Sequence, residues 1–358
     1  MSVVRFRCRG WPFVSIRVGD LPLIDLAPPE HGGRLRQAAE RYCIPVSDWL
    51  DLSTGINPVP WPVPPLAATC WGRLPEDEDD LESTAAGYYG APNPLPLAGS
   101  QAAIQALPML RDPGRVGIPR IGYREHAHAW RRAGHRVVEL DDAEIEDRLS
   151  DGAERLDALV VINPNNPSGR RWSVDRLLDW HTRLAERGGW LVVDEAFMDT
   201  TPELSLLPHA GREGLVVLRS LGKFFGLAGA RVGFLFAEPG LRERVRRLLG
   251  PWTLSGPARE VARLALSDRA WQEAERRSLH RRAARLADLL DGHGLSPAGG
   301  TALFQWVRTH EAERIQDVLA RQAILVRRFD APDSLRFGLP GDESGWARLD
   351  AALRRARR

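Results

Sequence analysis

The sequence predicts an α/β protein, with a larger part built on a mainly parallel sheet and a smaller α+β cap. Three observations carry this. Between about residues 67 and 250, continuous apolar runs alternate with amphipathic stretches, the pattern of strands buried on both faces beneath helices. The runs end in turn-forming or ionisable residues, and functional groups in such sheets collect at the carboxyl ends of strands. Beyond Pro251 the composition changes to a long Arg-rich helical region, several strand-like runs and a terminal helix.

The elements follow in order. His31-Gly32-Gly33 precedes a helical pattern, RLRQAAERYCI. The connector NPVPWPVPPL (57–66) holds five prolines, which forbid regular helix; it reads as the crossing from a small N-terminal piece to the main domain. RVVEL (136–140) is strand-like, and ALVVIN (158–163) is an apolar run that ends in the turn NPNNPSG. VDRLLDWHTRLAERGG (174–189) reads as a helix with Leu177, Trp180 and Leu184 on one face. WLVVDEAF (190–197) and GLVVLRS (214–220) are further buried strands, the first ending in carboxylates. AREVARLALSDRAWQEAERRSLHRRAARLADLLDGHGL is helical throughout, and ALFQWV (302–307), ILVRRF (324–329) and SLRFGLP (334–340) are strands.

Composition excludes several classes of function. Hydrophobic content of 43% and charged content of 27% are globular values. A net charge of +2 with mixed signs argues against a nucleic-acid partner, and RRSLHRRAAR is read as a solvated helix face. Cys8, Cys43 and Cys70 are odd in number and contain no CxxC pair, so neither a disulfide framework nor a metal site is expected. The N-terminus, broken by Arg and Pro, lacks the apolar core of a signal peptide. No apolar run is long enough for a transmembrane helix, so a cytoplasmic protein without a membrane partner is expected.

One feature of composition points at chemistry. Of the 49 Lys and Arg residues, a single one, Lys223, is lysine. An arginine-rich coding habit explains the missing lysines but not the survivor, which chance alone can also leave. Guanidinium does not deprotonate in proteins, so arginine cannot replace lysine where a neutral amine must attack. Lys223 lies just beyond a strand, and Arg231 follows in GLAGARVGF. AGSQAAI (98–104) sets a Gly-Ser turn at a helix start, where amides and a hydroxyl suit a phosphate. NPNNPSG presents an asparagine amide. Asp194 ends an apolar strand, where a carboxylate either pairs with a cation or caps the next turn. An amine for an aldehyde, a carboxylate for a pyridinium nitrogen, an amide for a phenolate and a phosphate cup together describe pyridoxal 5′-phosphate.

NPNNPSG, then VVDEAF, then SLGKFFGLAGARVGF, in this order and spacing, resembles the fold-type I pyridoxal-phosphate aminotransferase family. The resemblance implies a large domain over 61–250, and a small domain over 251–358 joined by an N-terminal segment, 1–60, so that both chain ends build it. It implies that Lys223 binds the cofactor aldehyde, Asp194 pairs with the ring nitrogen and Asn166 bonds the ring hydroxyl. Ser100, Gln101, Ser220 and Arg231 would hold the phosphate, Tyr123 would stack on the ring, and Arg336 would take a substrate carboxylate. A homodimer is also implied. Two positions depart from the pattern: Phe197 stands where many members have tyrosine, and Leu74 where a neighbouring subunit's tyrosine usually reaches the phosphate.

Within that family, HGGRLRQAAERYCIPVSDWLDLSTGINPVP is similar to the opening of the threonine-phosphate decarboxylases of cobalamin biosynthesis, relatives of histidinol-phosphate aminotransferase. This implies a phosphorylated amino acid, L-threonine O-3-phosphate, losing CO2. A histidinol-phosphate-type or other aminotransferase is the alternative. His31 with the Gly32 and Gly33 amides would form a phosphate nest, or else an ordinary turn. Arg327 or Arg328 would supply a second cation. Gly55 stands where these decarboxylases often carry asparagine, so only a backbone contact survives there.

Overall fold

The computed structural model describes residues 29, 31–150, 152 and 155–357. Cys8 and the whole N-terminal stretch read above for a signal peptide lie outside these. The strands in chain order are β1 (Leu50–Leu52), β2 (Leu95–Leu97), β3 (Arg115–Pro119), β4 (Arg136–Leu140), β5 (Ala158–Ile162), β6 (Trp190–Asp194), β7 (Leu215–Ser220), β8 (Gly233–Phe236), β9 (Gly299–Thr301), β10 (Phe304–Arg308), β11 (Ile324–Asp330) and β12 (Asp333–Gly338).

Seven strands form the large sheet in the order β2-β8-β7-β6-β5-β3-β4. β3 to β7 run parallel, whereas β8 is antiparallel to both of its neighbours, β7 and β2. Alternation along the central strands fills a core on each face. Leu159, Val161, Leu191, Val193, Leu215 and Val217 point to one, and Val160, Val192, Val216 and Leu218 to the other. That double burial is why these strands read as unbroken apolar runs.

The second sheet has five strands in the order β1-β11-β12-β10-β9. β1, from the N-terminal part of the chain, pairs in parallel with β11, so segments far apart in sequence share the smaller sheet. The class is α/β, as the apolar runs predict.

Two local features differ from the sequence reading. The long helical region divides into Gly256–Ser267 and Arg269–Gly292. Asp268 makes the break: its carboxylate accepts from the Trp271 amide at 3.0 Å, an N-cap, and from Trp61 Nε1 at 3.1 Å. The proline-rich connector is also more than a crossing. The amides of Asn57 and Trp61 donate to the carbonyls of Lys223 and Phe225, both at 2.9 Å. Gly226, at φ +69°, lets Pro60 approach, since a Cβ there would lie 2.7 Å from Pro60 Cα. No helix among the described residues is long and apolar enough to cross a membrane.

Candidate active site

The carboxyl ends of β5, β6 and β7 deliver the loop 163–169, Asp194 and Ser220 with Lys223 to one region. There a cleft of about 670 Å³ opens between the two sheets, lined by Lys223, Tyr123, Asn166, Arg231 and Arg336 among others. His31, Gly32, Gly55 and Arg327 line it as well. Ser100, Gln101, Asp194 and Ser220 do not line the open cleft but flank the residues that do.

Lys223 is partly buried on the strand-to-loop turn after β7. Burial and the positive charge of Arg336, with Arg231, lower its amine from 10.5 to about 8, while Asp194 offsets part of that effect. Near pH 7 roughly a tenth of the amine is therefore neutral, against well under a thousandth at the ordinary value of 10.5. Asp194 caps the turn that follows and also faces a buried imidazole. Its Oδ1 accepts from the Ala196 amide at 3.1 Å, and Oδ2 accepts from His126 Nε2 at 3.0 Å, with both side chains of this pair buried.

Asn166 Oδ1 accepts from Arg336 Nη1 at 2.5 Å, and Arg336 Nη2 donates to the Ser53 carbonyl at 2.6 Å. Desolvation and the neighbouring charge of Arg327 push Arg336 down to about 10. The loop carrying Asn166 is braced by Asn165, whose Nδ2 donates to Ile121 O at 2.8 Å and Ser168 Oγ at 2.7 Å.

The cup at the start of the Ser100–Ala106 helix rests on two glycines. Gly99, at φ +74°, leaves room for Arg231, whose Nη2 would lie 2.9 Å from a Cβ there. Gly233 of β8 backs directly onto the Ser100 amide, leaving no space for a Cβ. Ser220 Oγ accepts from the Gly222 amide at 3.4 Å. Gln101 connects this helix to Tyr123, whose hydroxyl donates to Gln101 Oε1 at 3.3 Å.

His31 does not form the nest pictured from sequence. The Gly33 amide donates to Ser53 Oγ at 2.7 Å, and the His31 imidazole donates from Nε2 to Glu125 Oε1 at 2.7 Å. Its ring lies 5.7 Å from that of Tyr123. Arg327 and Arg328 differ in their surroundings. Arg327 stands directly across from Arg336 in the β11–β12 register, on the same face. Arg328 also lines the cleft, but it alternates to the other side of the strand and pairs with Glu313 at 3.1 Å and Asp330 at 2.8 Å.

The two departures from the family pattern also find their places. Phe197 packs edge-to-face on Phe304, with centroids 5.2 Å apart, and its ring lies 5.8 Å from Lys223 Nζ. Gly55 makes this possible: a Cβ there would lie 2.9 Å from both rings. Leu74 is on the surface, 65% exposed.

Sequence reasoning missed Glu125 and His126. Both are buried at the start of the Arg124–Arg132 helix. A signal was present: in REHAHAWRR, His126, Ala127 and Trp130 fall at helical spacing on one inward face, which places an ionisable ring among apolar residues. It also missed the buried Arg219, which pairs with Glu195 at 2.9 Å and Asp199 at 2.7 Å and braces the segment after β6.

These residues fit pyridoxal 5′-phosphate. The glycine-lined cup with Ser100, Ser220 and Arg231 suits the phosphate, Asp194 with His126 suits the ring nitrogen, and the lowered amine of Lys223 suits the aldehyde. A sequence model described as Aminotransferase class I and II matches residues 74–353, and the chain belongs to this family of pyridoxal-phosphate enzymes. It is 57% identical over 324 residues to the threonine-phosphate decarboxylase of Pseudomonas aeruginosa, covering 90% of this chain and 97% of that one. It is 44% identical over 336 residues to the threonine-phosphate decarboxylase of a Sinorhizobium species, covering 92% and 98%. Among solved structures, it is similar in fold to the histidinol-phosphate aminotransferase of Sinorhizobium meliloti in complex with pyridoxal-5′-phosphate. The TM-score is 0.81 at 20% identity, over 96% of this chain and 98% of that one.

Proposed function

We propose that this enzyme decarboxylates L-threonine O-3-phosphate to (R)-1-amino-2-propanol O-2-phosphate in cobalamin biosynthesis, using pyridoxal 5′-phosphate. The observation that carries this reading is the cross-strand pair Arg327–Arg336. Directly opposed residues stand about 5 Å apart at Cβ, so one face offers two guanidiniums side by side. A substrate with a carboxylate and a phosphate on adjacent carbons matches two such cations. The 57% identity to a threonine-phosphate decarboxylase supports the same substrate.

The chain's own residues divide the work. Arg336 grips an anionic group through its planar fork, and Asn166 fixes the orientation of that fork. Arg327, with His31 at the cleft mouth, attracts the phosphate. The bound cofactor supplies an electron sink for the pair left when a bond at Cα breaks. The role left to Arg336 and Asn166 would be to orient the carboxylate so that its bond to Cα is the one that breaks. Phe197 and Phe304, both buried, keep water from this side of Lys223. The Lys223 amine, in its protonated form, would deliver a proton to the Cα that has lost CO2.

The test mixes purified holoenzyme with O-phospho-L-threonine and no 2-oxo acid. CO2 release with the cofactor recovered as the aldehyde is expected. Turnover that depends on 2-oxoglutarate overturns the reading in favour of a histidinol-phosphate-type aminotransferase.

The reading includes a cytoplasmic homodimer with the site at the subunit boundary, and the domain limits 1–60, 61–250 and 251–358. Trp71 and Trp252, 71% and 60% exposed with Leu74 nearby in sequence, support a second copy covering this surface. Sedimentation velocity tests it, and a monomer at micromolar concentration overturns the dimer.

A further inference from the structure

Glu125 is a buried carboxylate that none of the steps above uses, and its contacts cross the whole site. Oε1 accepts from His31 Nε2 at 2.7 Å. Oε2 accepts from Gln101 Nε2 at 2.6 Å and from Gln105 Nε2 at 3.2 Å. Three donors converge on one carboxylate, which as an anion can only accept.

That polarity propagates. With its NH2 committed to Glu125, the Gln101 amide presents its carbonyl to Tyr123, and the Tyr123 hydroxyl must donate to it, as it does at 3.3 Å. Burial and the negative charge of Glu125 push the Tyr123 phenol upward, so it remains a donor throughout the working range. One residue thus connects His31, at the mouth of the cleft, to Tyr123, set against the place where the cofactor ring fits. Gln101 and Gln105 lie on the helix whose start forms the phosphate cup. The helix carrying Glu125 also carries His126, the partner of Asp194.

We propose that Glu125 is a positioning residue that ties substrate binding to cofactor orientation: it holds His31 toward the substrate phosphate and, through Gln101, fixes the ring of Tyr123. The part concerning His31 rests on the decarboxylase reading above, whereas the part concerning Tyr123 does not. His31 is half-exposed and its side chain is anchored by Glu125. Losing that anchor frees the imidazole to sample rotamers in which it cannot reach the phosphate. Losing the acceptor at Gln101 removes the rule that sets the amide's direction, so Tyr123 loses its fixed partner.

The test compares Glu125→Gln and Glu125→Asp holoenzymes with the parent, using two readouts. The first is circular dichroism of the cofactor's visible band, which reports ring orientation and needs no turnover. The second is the split between KM and kcat for O-phospho-L-threonine. Glu125→Gln keeps the shape but brings its own NH2 against donors, so the dichroic band is expected to change. KM is expected to rise roughly tenfold to hundredfold, as for a lost charged hydrogen bond, with a smaller change in kcat. Glu125→Asp should restore part of both. His31→Ala combined with Glu125→Gln should raise KM by less than the product of the single effects. An unchanged dichroic band in Glu125→Gln overturns the Tyr123 arm. An unchanged KM, or independent effects in the double variant, overturns the His31 arm. A parent enzyme that releases no CO2 from O-phospho-L-threonine overturns the decarboxylase reading and with it the His31 arm, while the dichroism still decides the Tyr123 arm.

Discussion

Arg336 donates to the side-chain carbonyl of Asn166 at 2.5 Å, so the residue that would hold a substrate carboxylate is bonded to the residue that would hold the cofactor's ring hydroxyl. Orientation of substrate and cofactor is thereby shared. Arg336→Lys keeps the charge but not the fork, which cannot be supplied by an ammonium. We expect kcat/KM for O-phospho-L-threonine to fall by about a hundredfold, as for loss of a charged bidentate contact. Steady-state CO2 release measures it, and a loss below threefold would exclude a bidentate role.

Lys223 makes a prediction about stability. Its folded value is about 8 against an ordinary 10.5. Between these values the unfolded chain holds more protons than the folded one, so this residue's contribution to stability rises with pH across that window. Below about pH 8 the charged amine is a constant penalty. In the cofactor-free state, Lys223→Met is therefore expected to be more stable than the parent at pH 7, with the gap closing between pH 8 and 10.5. Urea unfolding at a series of pH values checks the sign, and a parent more stable than the variant at pH 7 contradicts it.

His126 and Asp194 form a buried pair at 3.0 Å. His126→Phe leaves the carboxylate without its partner in a dry site. We expect cofactor affinity to weaken at least tenfold, with a shift in the visible absorption band. Titration of the apoprotein with cofactor, read by absorbance, gives both quantities.

Gly55 and Phe197 are coupled by contact. Gly55→Ala puts a Cβ 2.9 Å from the rings of Phe197 and Phe304 and should cost about 1–3 kcal/mol of stability through overpacking. Phe197→Leu should recover part of that loss when combined with Gly55→Ala. Additive effects in the four-variant cycle would mean that the two positions do not share space.

Arg219 lies between Glu195 and Asp199 with all three side chains almost wholly buried. Arg219→Met strands two carboxylates and should cost about 3–5 kcal/mol. Urea unfolding at neutral pH measures it.

The strands that delimit the site were legible because both faces of the large sheet are covered. Ala158–Ile162, Trp190–Asp194 and Leu215–Ser220 carry no polar face to blur their limits. The short strand Leu50–Leu52 left no such trace, since its place in the small sheet depends on a partner, Ile324–Val326, far along the chain. At the site, Lys223, Asp194 and Asn166 announced themselves through residue type and position at strand ends. Glu125 did not, because its role comes from donors 94 and 24 positions away. The expected His31 nest failed for a related reason: nothing near Gly33 in sequence indicates that Ser53 Oγ takes its amide.

The connector between the two sheets has a mechanical consequence. Residues 50–52 are stitched into the small sheet, and five residues later the Asn57 amide is bonded to the carbonyl of Lys223, the residue that carries the reactive amine. Prolines at 58 and 60 stiffen the span, and Pro60 is seated against Gly226 with no slack. The small sheet is therefore moored to the lysine backbone by a short, stiff length of chain, so that any displacement of Leu50–Leu52 would reach Lys223 through the chain itself, without passing through the cleft.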